Sequence, residues 1–296
     1  MMEFPVSGVE TYWWLPILVA FGISTLTSMG GVSGAFLILP FQVSILGFTG
    51  PAVSPTNLVF NIVAIPSGVI RYWRERRLVW SLTWTIIIGT LPGVFLGAII
   101  RIKYLPDPRA FKVFAGLVLL YIAIRLVMDF IKKQKNKSAP GGKFEVVPIK
   151  SNIRHISFEF NSEPYKASSV GLLALSFVVG IVGGTYGIGG GAIIAPFLIT
   201  VFGLPVYTVA GAALLGTFIT SVAGVIFYTI IAPFYGHTGL AISPDWLLGA
   251  MFGIGGAAGM YVGARLQRFI PARVIKIILA AMMLFIAVKY ISGIIN

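Results

Sequence analysis

The residues best suited to chemistry lie in two glycine-rich stretches set within apolar sequence. The first is Gly30-Gly31-Val32-Ser33-Gly34. The second is Gly183-Gly184-Thr185-Tyr186-Gly187-Ile188-Gly189-Gly190-Gly191. Glycine costs about 1 kcal/mol in a helix interior, so each run is expected to break a helix. A helix restarting after the break presents N–H groups without intrahelical partners at its partly positive end. Such an end attracts anions, and glycine lets a ligand approach the backbone closely. On this ground Gly31, Ser33, Gly34, Tyr186, Gly187, Gly189, Gly190 and Gly191 are candidate substrate-binding residues. Asn57, Asn61, Thr217 and Ser221 lie in the apolar segments that follow and supply neutral donors and acceptors to complete the shell.

The plainer alternative is that glycine only lets helices pack closely. Gly89, Gly93 and Gly97, and Gly255, Gly259 and Gly263, recur every four residues. For these the packing role is favoured, and for the two breaks the binding role.

What is missing narrows the chemistry further. The nine acids are Glu3, Glu10, Glu75, Asp107, Asp129, Glu145, Glu159, Glu163 and Asp245. None falls at the centre of an apolar run, where a proton or sodium carrier often keeps a carboxylate. His155 and His237 fall in expected loops, and there is no Cys. No catalytic residue, metal ligand or cofactor is assigned. An enzyme acting on a lipid phosphate would want a Glu, His or Arg cluster at one membrane face. No such cluster occurs in the spans, and this reading stays the weaker alternative. A passive scaffold has no feature in its favour. Arg125 and Asp129, four residues apart on one helix, are expected to pair locally.

Composition says what must position these groups. Of 296 residues, 57% are hydrophobic and 10% charged, and mean hydropathy is +0.93. A soluble domain carries about 25% charged residues. A water-soluble fold cannot hide so much apolar surface, and a disordered chain would not contain it. The reading is an all-α polytopic membrane protein whose partner is the lipid bilayer. The net charge of +13 sits in short clusters between apolar runs. That pattern retains loops in the cytoplasm and argues against a nucleic-acid partner. The start, MMEFPVSGVETYWW, has no basic n-region and is expected to be mature sequence.

A span needs about 20 apolar residues. The first stretch reads as two short helices, 13–29 and 34–47, folded as a hairpin. Spans Ala52–Trp73, Trp80–Ile102 and Arg109–Ile131 follow. The second half repeats the plan. Ser168–Val201 is broken at its glycines, and Tyr207–Tyr235, Pro244–Leu266 and Ala272–Gly293 follow. Between the halves, a polar segment carries FEVVPI and ISFEF, two runs expected to form a small β-hairpin. The expected domains are a first membrane repeat, 1–131, a cytoplasmic connector, 132–167, and a second membrane repeat, 168–296.

The repeat is visible residue by residue. At an offset of 156, Gly31, Gly34, Pro40, Phe41 and Gly47 fall on Gly187, Gly190, Pro196, Phe197 and Gly203. At 166, Gly89, Gly93 and Gly97 fall on Gly255, Gly259 and Gly263. Charge then orients the halves. If each hairpin returns to its starting side and the N-terminus is outside, sixteen bases lie inside. Outside are Arg101, Lys103, Arg109, Lys112 and Lys289. Letting each broken stretch cross once gives a weaker bias, thirteen against eight. The first arrangement is preferred. It makes three net crossings per half, and hence two inverted repeats, each a broken helical hairpin plus three transmembrane helices. That is a recurring transporter plan.

The motifs GGVSGAFLILPF and YGIGGGAIIAPF, one per half, are each followed by a span with a Gly before Tyr, as in SGVIRYW and AGVIFYT. In this the chain resembles the sulfite exporter TauE/SafE family, over almost its whole length outside 132–167. GIGGGAIIAP is the more specific motif, and Val32 and Ser33 interrupt the first glycine run. The resemblance implies a multi-pass plasma-membrane transporter that exports a small sulfur-containing anion such as sulfite, sulfoacetate or another organosulfonate. The expected partners are that anion and the bilayer. The choice of anion, the coupling ion and any homo-oligomer are left open.

Overall fold

The computed structural model describes residues 1–29, 33–74, 78–131, 146–148, 155–160, 163–266, 269 and 272–293. The first half holds α1 (Trp14–Met29), α2 (Ala35–Ser44), α3 (Val53–Ala64), α4 (Pro66–Arg74), α5 (Trp80–Lys103) and α6 (Pro108–Ile131). The second holds α7 (Ser169–Tyr186), α8 (Gly191–Thr200), α9 (Val206–Ile231), α10 (Trp246–Leu266) and α11 (Ala272–Ser292). Among the described residues, six helical segments are long and apolar enough to cross a membrane. Both expected breaks are present: α1 stops at Met29 before α2 starts at Ala35, and α7 stops at Tyr186 before α8 starts at Gly191. With ten residues each, α2 and α8 are about 15 Å long. That is roughly half the ~30 Å hydrocarbon core.

The regular glycines do pack helices. A Cβ on Gly89, Gly93 or Gly97 of α5 would strike the α7 backbone at Leu173, Phe177 and Ile181. A Cβ on Gly255, Gly259 or Gly263 of α10 would strike the α1 backbone at Ile17, Phe21 and Thr25. The two sets of partners are themselves 156 residues apart. The same exchange holds where α3 and α4 cross α9. Gly68 faces Leu214, and Gly224 faces Leu58.

These contacts fix chain direction. Partner numbers rise together along α1–α10 and along α5–α7, so each pair is parallel. They also rise together for α3 and α10, where Gly249 meets Val59 and Gly253 meets Val63. The same is true of α5 and α9, where Gly216 meets Ile86 and Gly224 meets Val94. Since α1 and α3 both run with α10, α2 must turn back between them. Since α7 and α9 both run with α5, α8 turns back likewise. Across the α3/α4–α9 contact the numbers run oppositely, so these two sets of helices are antiparallel. All six Trp are exposed. Trp13, Trp14 and Trp246 sit where α1 and α10 begin. Trp73, Trp80 and Trp84 sit where α4 ends and α5 begins. They form two groups at opposite ends of the bundle, the placement that suits interfacial belts.

Local features refine the expected spans. The span expected as Ala52–Trp73 is present as Val53–Arg74, with its helix interrupted between α3 and α4 at Ile65. Pro66 has no N–H to return to the carbonyl of Ile62, so the ladder is interrupted there. Arg101, at the end of the expected span Trp80–Ile102, lies in the last turn of α5 and is fully buried. Its guanidinium lies 3.8 Å from the Phe111 ring centroid. It donates to the carbonyls of Leu105, Thr49 (3.2 Å) and Gly50 (3.0 Å). It thereby ties the loop after α2 to the turn after α5. Arg125 donates to the Tyr121 hydroxyl (2.9 Å) and lies over the Phe197 ring. The Asp129 side chain, its expected partner, lies outside the described residues.

Two small sheets complete the fold. In the connector, β3 (Val146–Pro148), β4 (His155–Phe160) and β5 (Glu163–Ser168) form an antiparallel sheet in that order. The expected pairing of FEVVPI with ISFEF is the β3–β4 ladder. The third strand, EPYKAS, carries Pro164 and two charges, which hide it from a β-propensity reading and suit an edge. Ile156, Phe158 and Phe160 alternate inward and join the core of the bundle. At the N-terminus, β1 (Met2–Phe4) pairs with β2 (Val9–Thr11), with Phe4 and Val9 buried. Buried Asp245 holds this hairpin, accepting from the Ser7 amide (3.1 Å) and hydroxyl (2.8 Å). Its other oxygen accepts from Leu248 N–H (3.1 Å) and caps α10.

Candidate functional site

The two hairpin tips meet inside the bundle. Gly34 and Gly190 are the N-caps of α2 and α8, and neither carries a side-chain cap. Ser33 accepts from the Ala35 amide through its hydroxyl (3.3 Å). Gly31, with Gly30 and Val32, lies outside the described residues. Gly187 ends α7 at φ +88°, and Gly189 follows at φ +74°. Both occupy the left-handed region that favours glycine. Contact restricts the second tip as well. A Cβ on Gly187 would press into Ser54, on Gly190 into Thr90 (2.7 Å), and on Gly191 into the Ala213 carbonyl. Packing and the break therefore require the same glycines.

Side chains of α3 and α7 join the tips. Asn57 Nδ2 donates to the carbonyl of Ala35, at the start of α2 (3.1 Å), and to that of Gly187, in the other break (2.9 Å). Asn61 Nδ2 donates to the Ile188 carbonyl (3.0 Å) and to Ser221 Oγ of α9 (3.3 Å). The Tyr186 hydroxyl donates to the Phe36 carbonyl (2.9 Å). That carbonyl is free of a helical partner because the residue four places on is Pro40, which has no N–H. Thr217 donates to Ala213 of its own helix (2.8 Å) and lies against Gly189 and Gly191. Thus Ser33, Gly34, Asn57, Asn61, Tyr186, Gly187, Gly189, Gly190, Gly191, Thr217 and Ser221 form one connected region.

The region is buried, and the side chains that form it are uncharged. Asn57, Asn61, Tyr186 and Ser221 are fully buried. Asn57 Oδ1, Asn61 Oδ1, Ser24 Oγ and both polar atoms of the Gln42 amide are buried without a hydrogen-bond partner. Leaving such a group unpaired costs about 1–3 kcal/mol. Ser24 and Gln42 were not among the candidate site residues. Ser24 Oγ lies 2.7 Å from where a Cβ on Gly34 would sit, which only the folded hairpin reveals. Ser54 was also missed; it donates to the Thr185 carbonyl (3.1 Å). Among the described residues, no group of His, Cys, Asp or Glu is placed to hold a metal ion. The polar atoms gathered here are neutral hydrogen-bond donors and acceptors.

The sequence model of the sulfite exporter TauE/SafE family matches residues 16–290. The chain belongs to the TauE/SafE family. Two Bacillus subtilis (strain 168) proteins are similar to it. The probable membrane transporter protein YunE is 28% identical over 201 residues, covering 64% of this chain and 68% of the relative. The probable membrane transporter protein YjnA is 23% identical over 291 residues, covering 93% and 98%. No solved structure matches. This TauE/SafE protein is therefore a multi-pass membrane transporter, not an enzyme, and its family implies a small anionic substrate.

Proposed function

We propose that this TauE/SafE transporter exports a small sulfur-containing anion, sulfite, sulfoacetate or another organosulfonate, across the plasma membrane. The anion is held between the hairpin tips by backbone N–H groups at the starts of α2 and α8. Ser33, Asn57, Asn61, Thr217 and Ser221 complete its shell, with Gly31 and Gly34 on one side and Tyr186, Gly187, Gly189, Gly190 and Gly191 on the other. The observation that carries this reading is the bridge from Asn57 to both tips, to Ala35 on one side and to Gly187 on the other. In the arrangement described, the Asn57 and Asn61 donors are engaged by backbone carbonyls. An anion takes those donors only as Gly187 and Ile188 let go, so binding is tied to separation of the tips. Exchanging one acceptor for another costs little net free energy. The ligand's preference for the parted tips then sets the population.

In this reading the halves are inverted repeats, with the N-terminus outside and the connector cytoplasmic. The exchanged glycine contacts and the opposed helix directions support it. Alternating access follows as one repeat rocks against the other. Efflux of an anion in an inside-negative potential is downhill by about 2.3 kcal/mol per charge per 100 mV. It needs no coupling carboxylate in the spans. Flux of sulfite, sulfoacetate, sulfate and thiosulfate in proteoliposomes tests the proposal. Saturable transport of at least one is expected, and absence of flux for all of them overturns it.

A further inference from the structure

A second cationic feature lies away from the hairpin tips, on the face where α6 begins and α11 ends. A cavity of about 340 Å³ is lined by Ser44, Arg109, Lys112, Lys289, Tyr290 and Gly293. Three cations line it, and among the described residues no carboxylate does. The floor is a hydroxyl pair, with Ser44 Oγ 2.7 Å from Tyr290 OH and Tyr290 OH 3.3 Å from the Pro40 carbonyl. Tyr290 is buried, so its hydroxyl is fixed. Tyr290 gives its hydrogen to the Pro40 carbonyl, so Ser44 donates to Tyr290 and the pair is held within the floor. Three positive side chains around one cavity are the complement of an oxyanion.

We propose that this cavity is an oxyanion-binding subsite at the mouth of the transporter. The internal repeat supports the assignment. At the offset of 156, Ser44 falls on Thr200. At 164, Arg109 and Lys112 fall on Arg273 and Lys276, and Lys289 pairs with Arg125. The three cations and the Ser44 hydroxyl thus have counterparts in the sequence, while Tyr290 falls on Leu126. The subsite also touches the moving part. Ser44 ends α2, the helix whose other end is bridged to the second hairpin by Asn57 and Tyr186.

The shared chemistry admits a free oxyanion or a phospholipid headgroup, and one experiment separates them. Sulfate is titrated against the purified full chain in neutral detergent, at low and high ionic strength. The set is the parent protein, Lys112→Gln, Lys289→Gln, their double variant, and Lys103→Gln as a nearby exposed control. Titrations are repeated in nanodiscs with and without phosphatidylglycerol. The double variant should bind sulfate about tenfold more weakly or worse. K103Q should match the parent, and high salt should weaken binding throughout. If phosphatidylglycerol competes with sulfate in the parent but not in the double variant, the occupant in the membrane is a lipid phosphate at the same subsite. Equal sulfate affinity in the parent and the double variant, or no binding to the parent of either sulfate or phosphatidylglycerol, overturns the proposal. The export reading rests on flux and this one on equilibrium binding, so either can fail alone.

Discussion

Tyr186→Phe is expected to loosen the junction of the two hairpins by an amount that Pro40 controls. The hydroxyl donates to the Phe36 carbonyl at 2.9 Å. That carbonyl has no helical donor, because Pro40 stands where the donating N–H would be. Removing the hydroxyl leaves a buried acceptor unpaired, at about 1–3 kcal/mol. Pro40→Ala restores the missing N–H and gives Phe36 a partner within α2. In the P40A background, Y186F should therefore cost less than half as much. Unfolding by denaturing detergent in mixed micelles, run as a double-mutant cycle, measures this coupling. Its expected value is about 1 kcal/mol, with the double variant more stable than additivity requires. Additive losses would refute the reasoning, since Tyr186 would then act through ring packing and not through the orphaned carbonyl.

Three further outcomes follow from the packing. Gly93→Leu and Gly259→Leu set a side chain against the backbone of a neighbouring helix at Phe177 and Phe21. Each should cost about 3 kcal/mol or more, read as loss of the monodisperse peak in size-exclusion chromatography. Gly190→Leu should do the same, because of Thr90, so it cannot serve as a transport-only variant. Asp245→Ala removes the α10 cap and the anchor of Ser7. It should cost about 1 kcal/mol and expose residues 1–11 to limited proteolysis with the bundle intact. The absence of Cys allows single-cysteine labelling. His237→Cys should react with an impermeant maleimide from outside the cell, and His155→Cys only after permeabilisation; the reverse pattern would invert the proposed orientation.

Glycine made the hairpin breaks legible in the sequence, because a run such as Gly187 to Gly191 weakens every turn it enters. The packing stripes were legible for a related reason. Glycines four apart on an apolar helix leave a groove that only another backbone fills, and Gly93 and Gly259 do this at repeat-equivalent partners. Asn57 and Asn61 were recognisable as polar groups with no solvent to face. Their bonds to the carbonyls of the opposite tip were not, because those contacts join residues more than 120 apart. Arg101 was legible as the end of its span, but its burial was not. Three backbone carbonyls and the face of Phe111 solvate it in the fold, and none of these leaves a charge signature in the sequence. The N-terminal β1–β2 hairpin was missed because strands of three residues carry too little periodicity. Its stability comes from Asp245, 238 residues away from Ser7.

A cryo-EM map of the protein in nanodiscs at saturating sulfite tests the anion-binding tips most directly. Density for the ligand is expected between the amides at Gly34–Ala35 and those at Gly190–Gly191, with Asn57 turned from the Gly187 carbonyl toward it. A sulfite-bound map in which Asn57 still joins Ala35 to Gly187, with the ligand seated elsewhere, would contradict the account.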